Sequence, residues 1–541
     1  MRTAILAGIL VALGSVAGLL YLKDARDAGQ IAQENEVHQA QAKELAEPAY
    51  QRELARETES LILPSMPPLP EGLPLVGAEG TDRWGMPYAE PDDIALRQLL
   101  LAQRFDDLEA HFGAYQAAFE KEANHERWPL RACAAFRSSQ PELVAALEAW
   151  RAAKPDSYAA TCAWAQHLER EAWDLRGGGF ASDVTPEAMK AFEAKLLESE
   201  AAYRRALELQ PQALAPAVEL IVSARDLGLD EAEQKARIDA ALKICKTCAS
   251  PHAAHLEGLR TRWGGSEDAQ KAYVKRITRG KASKAVRALA GFPHDDRCRD
   301  LRTAEDYEGA VAACRKAAEL GDYEDDLIDV LARAGEMAEA LERSNARLET
   351  HPRSMQALKV RYDVSVDQKN VDAQAPVVLA MRRIAPSDET WAKRAAWTTD
   401  ALAEMARHDV QRGERDTAKR RVDICLEINP NDQHCWTVRG MLIAANPNGI
   451  QRARELVEAN PDDFNAHRML DYALSTERDF RAIIEAWDGF IARHPDHAQA
   501  LFERAAARKQ LGDREGTMAD VKKACSLGHR EACQRQQQLG G

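Results

Sequence analysis

The chain has no glycine-rich phosphate loop, dinucleotide fingerprint, nucleophile elbow, HExxH helix or paired-carboxylate motif. The residue patterns that mark phosphoryl, hydride or acyl transfer and metal-assisted hydrolysis are therefore missing, and neither an enzymatic activity nor a cofactor is expected. A basic domain is missing too. The sequence sets 72 Lys and Arg against 86 Asp and Glu, a net charge of −14, which opposes the counterion release behind general nucleic-acid binding. What is present is 45% hydrophobic and 29% charged residues, rich in the Ala, Leu, Glu, Lys and Arg that favour helix. At 541 residues the chain exceeds one compact core, unless it grows in one dimension as a solenoid.

After Met1-Arg2-Thr3, residues Ala4 to Leu22 form an uncharged apolar run, followed by Lys23, Asp24, Arg26 and Asp27. At about 1.5 Å of rise per residue it crosses most of a bilayer core of roughly 30 Å, so residues 1–22 are expected as a single transmembrane helix, with membrane association through residues 4–22. No cysteine follows the run, which excludes a lipoprotein. The small-x-small site Ser15-Val16-Ala17 precedes Leu19, Leu20 and Leu22, which favours a retained signal anchor over cleavage. Flanking charge orients the helix weakly, and the cysteines are left to decide the side. Residues 23–62 read as a charged helical stalk, with a short coiled coil as the weaker form. Pro64, Pro67, Pro68, Pro70 and Pro74 then make residues 63–95 a stiff extended spacer.

Pro352, Pro386, Pro430, Pro461 and Pro495 each close an apolar helical run, most at steps near 34 residues. That period belongs to stacked helical hairpins, each burying its face on the next. With Pro430 as a closing residue, Cys425 falls in a small-residue slot, Trp436 in an aromatic slot and Gly440 in a close-packing slot, which resembles a tetratricopeptide repeat. Leu470, Trp487 and Pro495 continue the register, with Asp471 where a small residue is usual, and Ala505, Leu511-Gly512-Asp513 and Ala524 make the last unit. The stretch Ala524-Cys525-Ser526-Leu527-Gly528 through Ala532-Cys533 resembles the junction of cysteine-rich Sel1-like repeats, a resemblance that implies a bridge between Cys525 and Cys533. Ala312-Ala313-Cys314 with Leu320-Gly321 is an earlier partial copy without a second cysteine in register, its nearest candidate being Cys298. Residues 293–541 are thus expected as a repeat array.

Residues 96–292 are helical by pattern with unusual punctuation. Trp150 and Pro155-Asp156-Ser157, then Arg176-Gly177-Gly178-Gly179, then Arg262-Trp263-Gly264-Gly265-Ser266 stand in an order that resembles the bacterial domain-of-unknown-function 4034 family. That resemblance implies a helical, repeat-like domain and no known activity. Physically, Gly264 and Gly265 suit a reversal needing positive φ, Ser266 suits a helix N-cap, Trp263 pins the turn on the core and Arg262 reaches a carboxylate or carbonyl. The alternative is a ligand pocket framed by Arg176, Arg262 and Trp263.

The ten cysteines are an even set of sequence neighbours, and Cys425/Cys435 and Cys525/Cys533 each straddle an expected helix-to-helix turn. The set fits disulfides in an oxidising compartment or buried thiols in a reducing one, and the first places the body outside the cytoplasm. Cys245, Cys248, His252 and His255 offer four metal-type ligands, but their spacing matches no zinc finger. A local disulfide or two free thiols fit better than a metal or redox site. Arg260, Arg262, Lys271, Lys275, Arg276, Arg279, Lys281, Lys284 and Arg287 concentrate positive charge, as a solvated face or a surface for an anionic partner or lipid. The sum is an all-α helical-hairpin solenoid with one N-terminal transmembrane helix. It is expected in the plasma membrane with its body periplasmic, as a scaffold for a protein or peptide partner in the envelope. The other class is a helical ligand-binding or enzymatic domain at residues 96–292.

Overall fold

A computed structural model describes residues 72–178, 184–386, 388–446 and 448–539. The expected anchor and stalk, the spacer up to residue 71, and Gly179 lie outside them. No described helix is long and apolar enough to cross a membrane. The chain forms two compact units that divide between Arg361 and Tyr362.

The first unit opens with a feature that corrects the sequence reading. Residues 72–91, expected to belong to an extended spacer, form a small hairpin in which strand Leu75–Val76 pairs antiparallel with Glu90–Pro91. The hairpin is held to the body by hydrogen bonds in both directions. Tyr115 Oη donates to Pro74 O at 2.7 Å and Trp128 Nε1 to Ala89 O at 2.8 Å. Ala78 N–H donates to Thr350 O at 3.1 Å, and Arg83 reaches Glu319 O at 3.0 Å. Helices Asp93–Leu101, Phe105–Lys121, Arg127–Ala134, Pro141–Ala153 and Tyr158–Arg176 follow, and bury Leu96, Leu99, Phe112, Phe136, Leu147 and Trp150 in one core. The expected boundary at Pro293 is not where the packing divides. Phe292 and Pro293 are buried at the start of helix Phe292–Thr303, and Phe292 packs with Leu256, Tyr273 and Val274. Residues 293–361 continue the first unit through a core of Cys298, Val311, Leu327, Ile328, Leu331 and Ala357.

One junction recurs in both units. A helix ends on a cap residue, proline follows, and two residues later a polar side chain starts the next helix. It is seen at Pro155-Ser157, Pro352-Ser354, Pro386-Asp388, Pro430-Asp432, Pro461-Asp463 and Pro495-His497. Proline has no N–H to continue the first helix and pushes the residue before it out of the helical region. The capping side chain then satisfies an open N–H of the next helix, as Asp432 does for Cys435 at 2.9 Å. In each junction the capping residue's own N–H donates to the carbonyl of the residue before proline, at 3.0–3.2 Å. Sequence periodicity in proline thus becomes one chain reversal built six times.

In the second unit the register of Cys425, Trp436 and Gly440 has a steric basis. Cys425 and Trp436 are wholly buried, and a Cβ on Gly440 would lie 2.5 Å from the Tyr472 carbonyl carbon and oxygen, so only glycine lets helix Gln433–Ala444 meet helix Phe464–Glu477 this closely. Gly440→Ala is expected to destabilise this pair by about 1–3 kcal/mol, the usual cost of overpacking. Faster hydrogen exchange in both helices reads the effect; unchanged exchange means the two backbones separate without penalty.

Candidate functional site

The second unit carries a groove of about 690 Å³ built from repeated positions. Helices Phe464–Glu477 and Ala498–Gln510 each lead a hairpin, and helix Arg530–Leu539 follows the second of them. Tyr472 and Ala506 line the groove from sites 34 residues apart, as do Ser475 and Lys509. Glu531, Gln534 and Arg535 extend the wall, and Phe480, Ile483, Thr517 and Val521 join from the return helices. Lining by equivalent residues of successive leading helices is what stacking identical hairpins produces.

Acidic groups are sunk into this groove. Asp471 accepts from Trp487 Nε1 at 2.6 Å and from Ser475 Oγ at 3.3 Å. Burial, reinforced by Glu503, pushes the Asp471 carboxyl up to about 7. Burial also raises Glu503, which accepts from Gln499 at 2.8 Å and lies 3.7 Å from the Arg468 guanidinium. Arg468 is itself buried, stacked 4.7 Å over Trp436 and donating to Pro430 O and Asn431 Oδ1 at 3.1 Å. The groove therefore joins apolar contact area with buried acceptors, a lining suited to a peptide that brings apolar and donor side chains.

The family-motif residues of the first unit fall in separate places. Trp150 is a core residue, against Phe112 and Phe136 and donating to Glu109 at 2.8 Å. Pro155 is an exposed turn residue and Ser157 caps the next helix through Ala160 N at 3.0 Å. Arg176 ends that helix and Gly177 caps it at φ 78°. Gly264 takes the left-handed conformation at φ 85°, and Ser266 caps helix Glu267–Ile277 as expected. Gly265 answers a different need: its Cβ would sit 2.1 Å from Leu259 O, so close approach rather than positive φ excludes a side chain.

Arg176, Arg262 and Trp263 do come together, but as a stack. The Trp173 and Trp263 rings meet edge to face at 6.3 Å, Arg225 and Arg262 lie 4.6 and 5.4 Å over Trp263, and Arg176 lies 5.3 Å over Trp173. Trp263 stays 37% exposed rather than pinned in the core, and Arg262 is exposed with Glu257 at 3.7 Å. The arginine that organises the turn is Arg260. It is buried, bonded to Glu257 at 2.7 Å, Asp296 at 2.7 Å and Asp295 at 3.1 Å, and stacked 4.3 Å over Phe292. Sequence reasoning also missed a buried network: Glu169 accepts from Arg137 and Tyr203, and Glu219 accepts from Gln166, its carboxyl pushed up to about 7 by burial and then by Glu169. A signal existed, since Glu219 is the lone carboxylate inside the apolar run Leu214-Ala-Pro-Ala-Val-Glu-Leu-Ile-Val.

The cysteines pair as sequence neighbours: Cys133–Cys162, Cys245–Cys248, Cys298–Cys314, Cys425–Cys435 and Cys525–Cys533, with Cα atoms 4.6–6.4 Å apart. Cys245 and Cys248 are thereby bonded to each other, and His252 and His255 pack on Tyr273 instead, His252 Nδ1 lying 2.9 Å from its hydroxyl. The four do not converge as a ligand set. Asp432 stands beside Cys425 and Cys435, whose sulfurs are likewise spent in their bridge.

Together the six-fold helix–proline–cap junction and a groove lined at equivalent positions define a helical-hairpin repeat protein of the tetratricopeptide kind. Residues 93–231 match the family described as a domain of unknown function (DUF4034). No curated protein matches the chain. Among solved structures it is similar to a tetratricopeptide repeat protein from Parabacteroides merdae ATCC 43184, at 15% identity over 46% of this chain and 98% of that one, with a TM-score of 0.22. It is also similar to the TPR domain of P58(IPK), at 13% identity over 80% of this chain and 98% of that one, with a TM-score of 0.17.

Proposed function

We propose that the protein is an exported, membrane-tethered scaffold of the cell envelope whose second unit binds a protein or peptide partner. The groove carries this reading: a lining drawn from the leading helices of two hairpins and from the helix that follows them, mixed apolar and hydrogen-bonding, offers an extended surface to a chain rather than a reacting centre to a small molecule. Ala506 lies exposed in it, so Ala506→Arg obstructs the groove without disturbing the core. Full-length Ala506→Arg is expected to lose the partners cross-linked to the wild type in cells. Recovery of the same partners in the same amounts means that binding lies elsewhere.

The tether rests on the apolar run Ala4 to Leu22, and the exported body on a chain whose ten cysteines all find a neighbour to bridge. Alkylation of unreduced protein taken from cells, followed by mass measurement, is expected to leave all ten cysteines unlabelled until reductant is added. Ten reactive thiols without reductant place the body in the cytoplasm.

A further inference from the structure

A free basic face rises out of this acidic chain. Residues 275–287 hold six cations, Lys275, Arg276, Arg279, Lys281, Lys284 and Arg287, and no carboxylate, and all six are exposed. They occupy the last turn of helix Glu267–Ile277, the loop after it and helix Lys284–Ala288. The fold enlarges the set, because Ser283 Oγ donates to Thr247 O at 2.8 Å and so brings the turn bearing exposed Lys243 and Lys246 alongside. Their neighbours in sequence behave otherwise: Arg260 is buried among three carboxylates, and Lys271 is paired with Glu267 at 2.6 Å. None of the eight enters an ion pair among the described residues, in a protein whose arginines are otherwise paired many times over.

The arrangement limits what this face takes. The groove of the second unit draws on none of the eight, and each of them is exposed rather than sunk in a site built for a single anion. The apolar residues of the segment are turned inward, Val286 buried and Ile277 half-buried, and the Tyr273 ring is buried beneath Arg276, so no exposed anchor of the kind that dominates protein interfaces is present. What is left is Coulombic attraction spread over long, mobile side chains, which suits a laterally extended anionic surface. Cations near anionic headgroups are each drawn in appreciably, and a covalent tether keeps the local headgroup concentration high. We propose that residues 275–287, with the adjoining Lys243–Lys246 turn, dock on anionic phospholipid headgroups and lay the first unit against the membrane. The proposal rests on the tethered reading above.

The test uses the full chain in nanodiscs of phosphatidylcholine alone or with a third of phosphatidylglycerol, probed with an amine-acylating reagent. Lys243, Lys246, Lys275, Lys281 and Lys284 are expected to react about fivefold more slowly on the anionic discs, Lys190 serving as the reference. About 1 M salt, where the screening length is about 3 Å, is expected to erase the difference. The triple variant Arg276→Gln, Arg279→Gln and Arg287→Gln keeps every lysine reporter and is expected to lose most of the protection. Equal rates on the two discs overturn the proposal. So does protection in native membranes that is missing from pure-lipid discs, which would mark an acidic protein as the occupant. A chain that does not enter discs at all refutes the tether instead, and the face is then read by flotation with added phosphatidylglycerol vesicles, where failure to float overturns it.

Discussion

Arg260→Ala is expected to destabilise the first unit by about 3–5 kcal/mol, the cost of stripping the partner from buried charge. The side chain is the meeting point of Glu257, Asp295 and Asp296, with both aspartates buried. Arg299 still reaches Asp295 at 3.1 Å and Gln270 reaches Asp296 at 2.6 Å, but neither replaces a guanidinium that bridges the turn to helix Phe292–Thr303. The loss is electrostatic more than volumetric, so Arg260→Ala combined with Asp295→Asn and Asp296→Asn is expected to recover most of it. The Asp295 carboxyl, raised to about 6 by burial and then by Asp326, also predicts a milder single-variant defect at pH 5, where protonation relieves the unpaired charge. Urea unfolding monitored in the first unit measures all three. A cost below about 1 kcal/mol, or no recovery in the triple variant, would show that packing over Phe292 is the whole role.

Asp471→Asn is expected to act in the opposite direction, stabilising the second unit at alkaline pH. An ordinary Asp has a pKa of 3.8, whereas folding raises this one to about 7, so the native state binds the proton more tightly than the unfolded chain between those values. The group's favourable contribution is complete below the unfolded pKa and is lost as pH rises through about 7, which makes unfolding easier at pH 8 than at pH 5. Glu503, raised by burial as well, adds to the same slope. Asparagine keeps an oxygen for Trp487 Nε1 and has no charge to desolvate. The variant is expected to match the wild type at pH 5 and exceed it by about 2–4 kcal/mol at pH 8, since each tenfold change in proton affinity is worth roughly 1.4 kcal/mol. Hydrogen exchange of helices Phe464–Glu477 and Phe480–Arg493 at the two pH values reads the local free energy. An equal loss of stability at both would assign Asp471 a purely hydrogen-bonding role.

Local signals carried much of the fold. The closing prolines and the slots of Cys425, Trp436 and Gly440 are read within one hairpin, because chain reversal and close packing depend on neighbours a few residues away. Features that depend on distant chain were not legible. Arg260 and Arg262 stand two residues apart, and which one turns inward is decided by Asp295 and Asp296 more than thirty residues later. Residues 72–91 look extended because their proline and glycine content excludes helix; their partners Tyr115, Trp128 and Thr350 lie far along the chain. Asp471 stood out as a misfit in its repeat slot, yet only the groove shows why a carboxylate there matters. The eight-cation face was half visible, since no sequence pattern joins Lys243 and Lys246 to residues 275–287.

The disulfides close short stretches, with sequence separations of 29, 3, 16, 10 and 8. Two of them, Cys425–Cys435 and Cys525–Cys533, lock a single turn between consecutive helices of the second unit. Under tension applied along the chain, the residues enclosed by each bridge cannot contribute to extension, however far the surrounding helices unwind. The repeat stack is therefore a spring with knots already tied in it: its reach under load is shorter than its contour length, and reducing agent lengthens it in discrete steps.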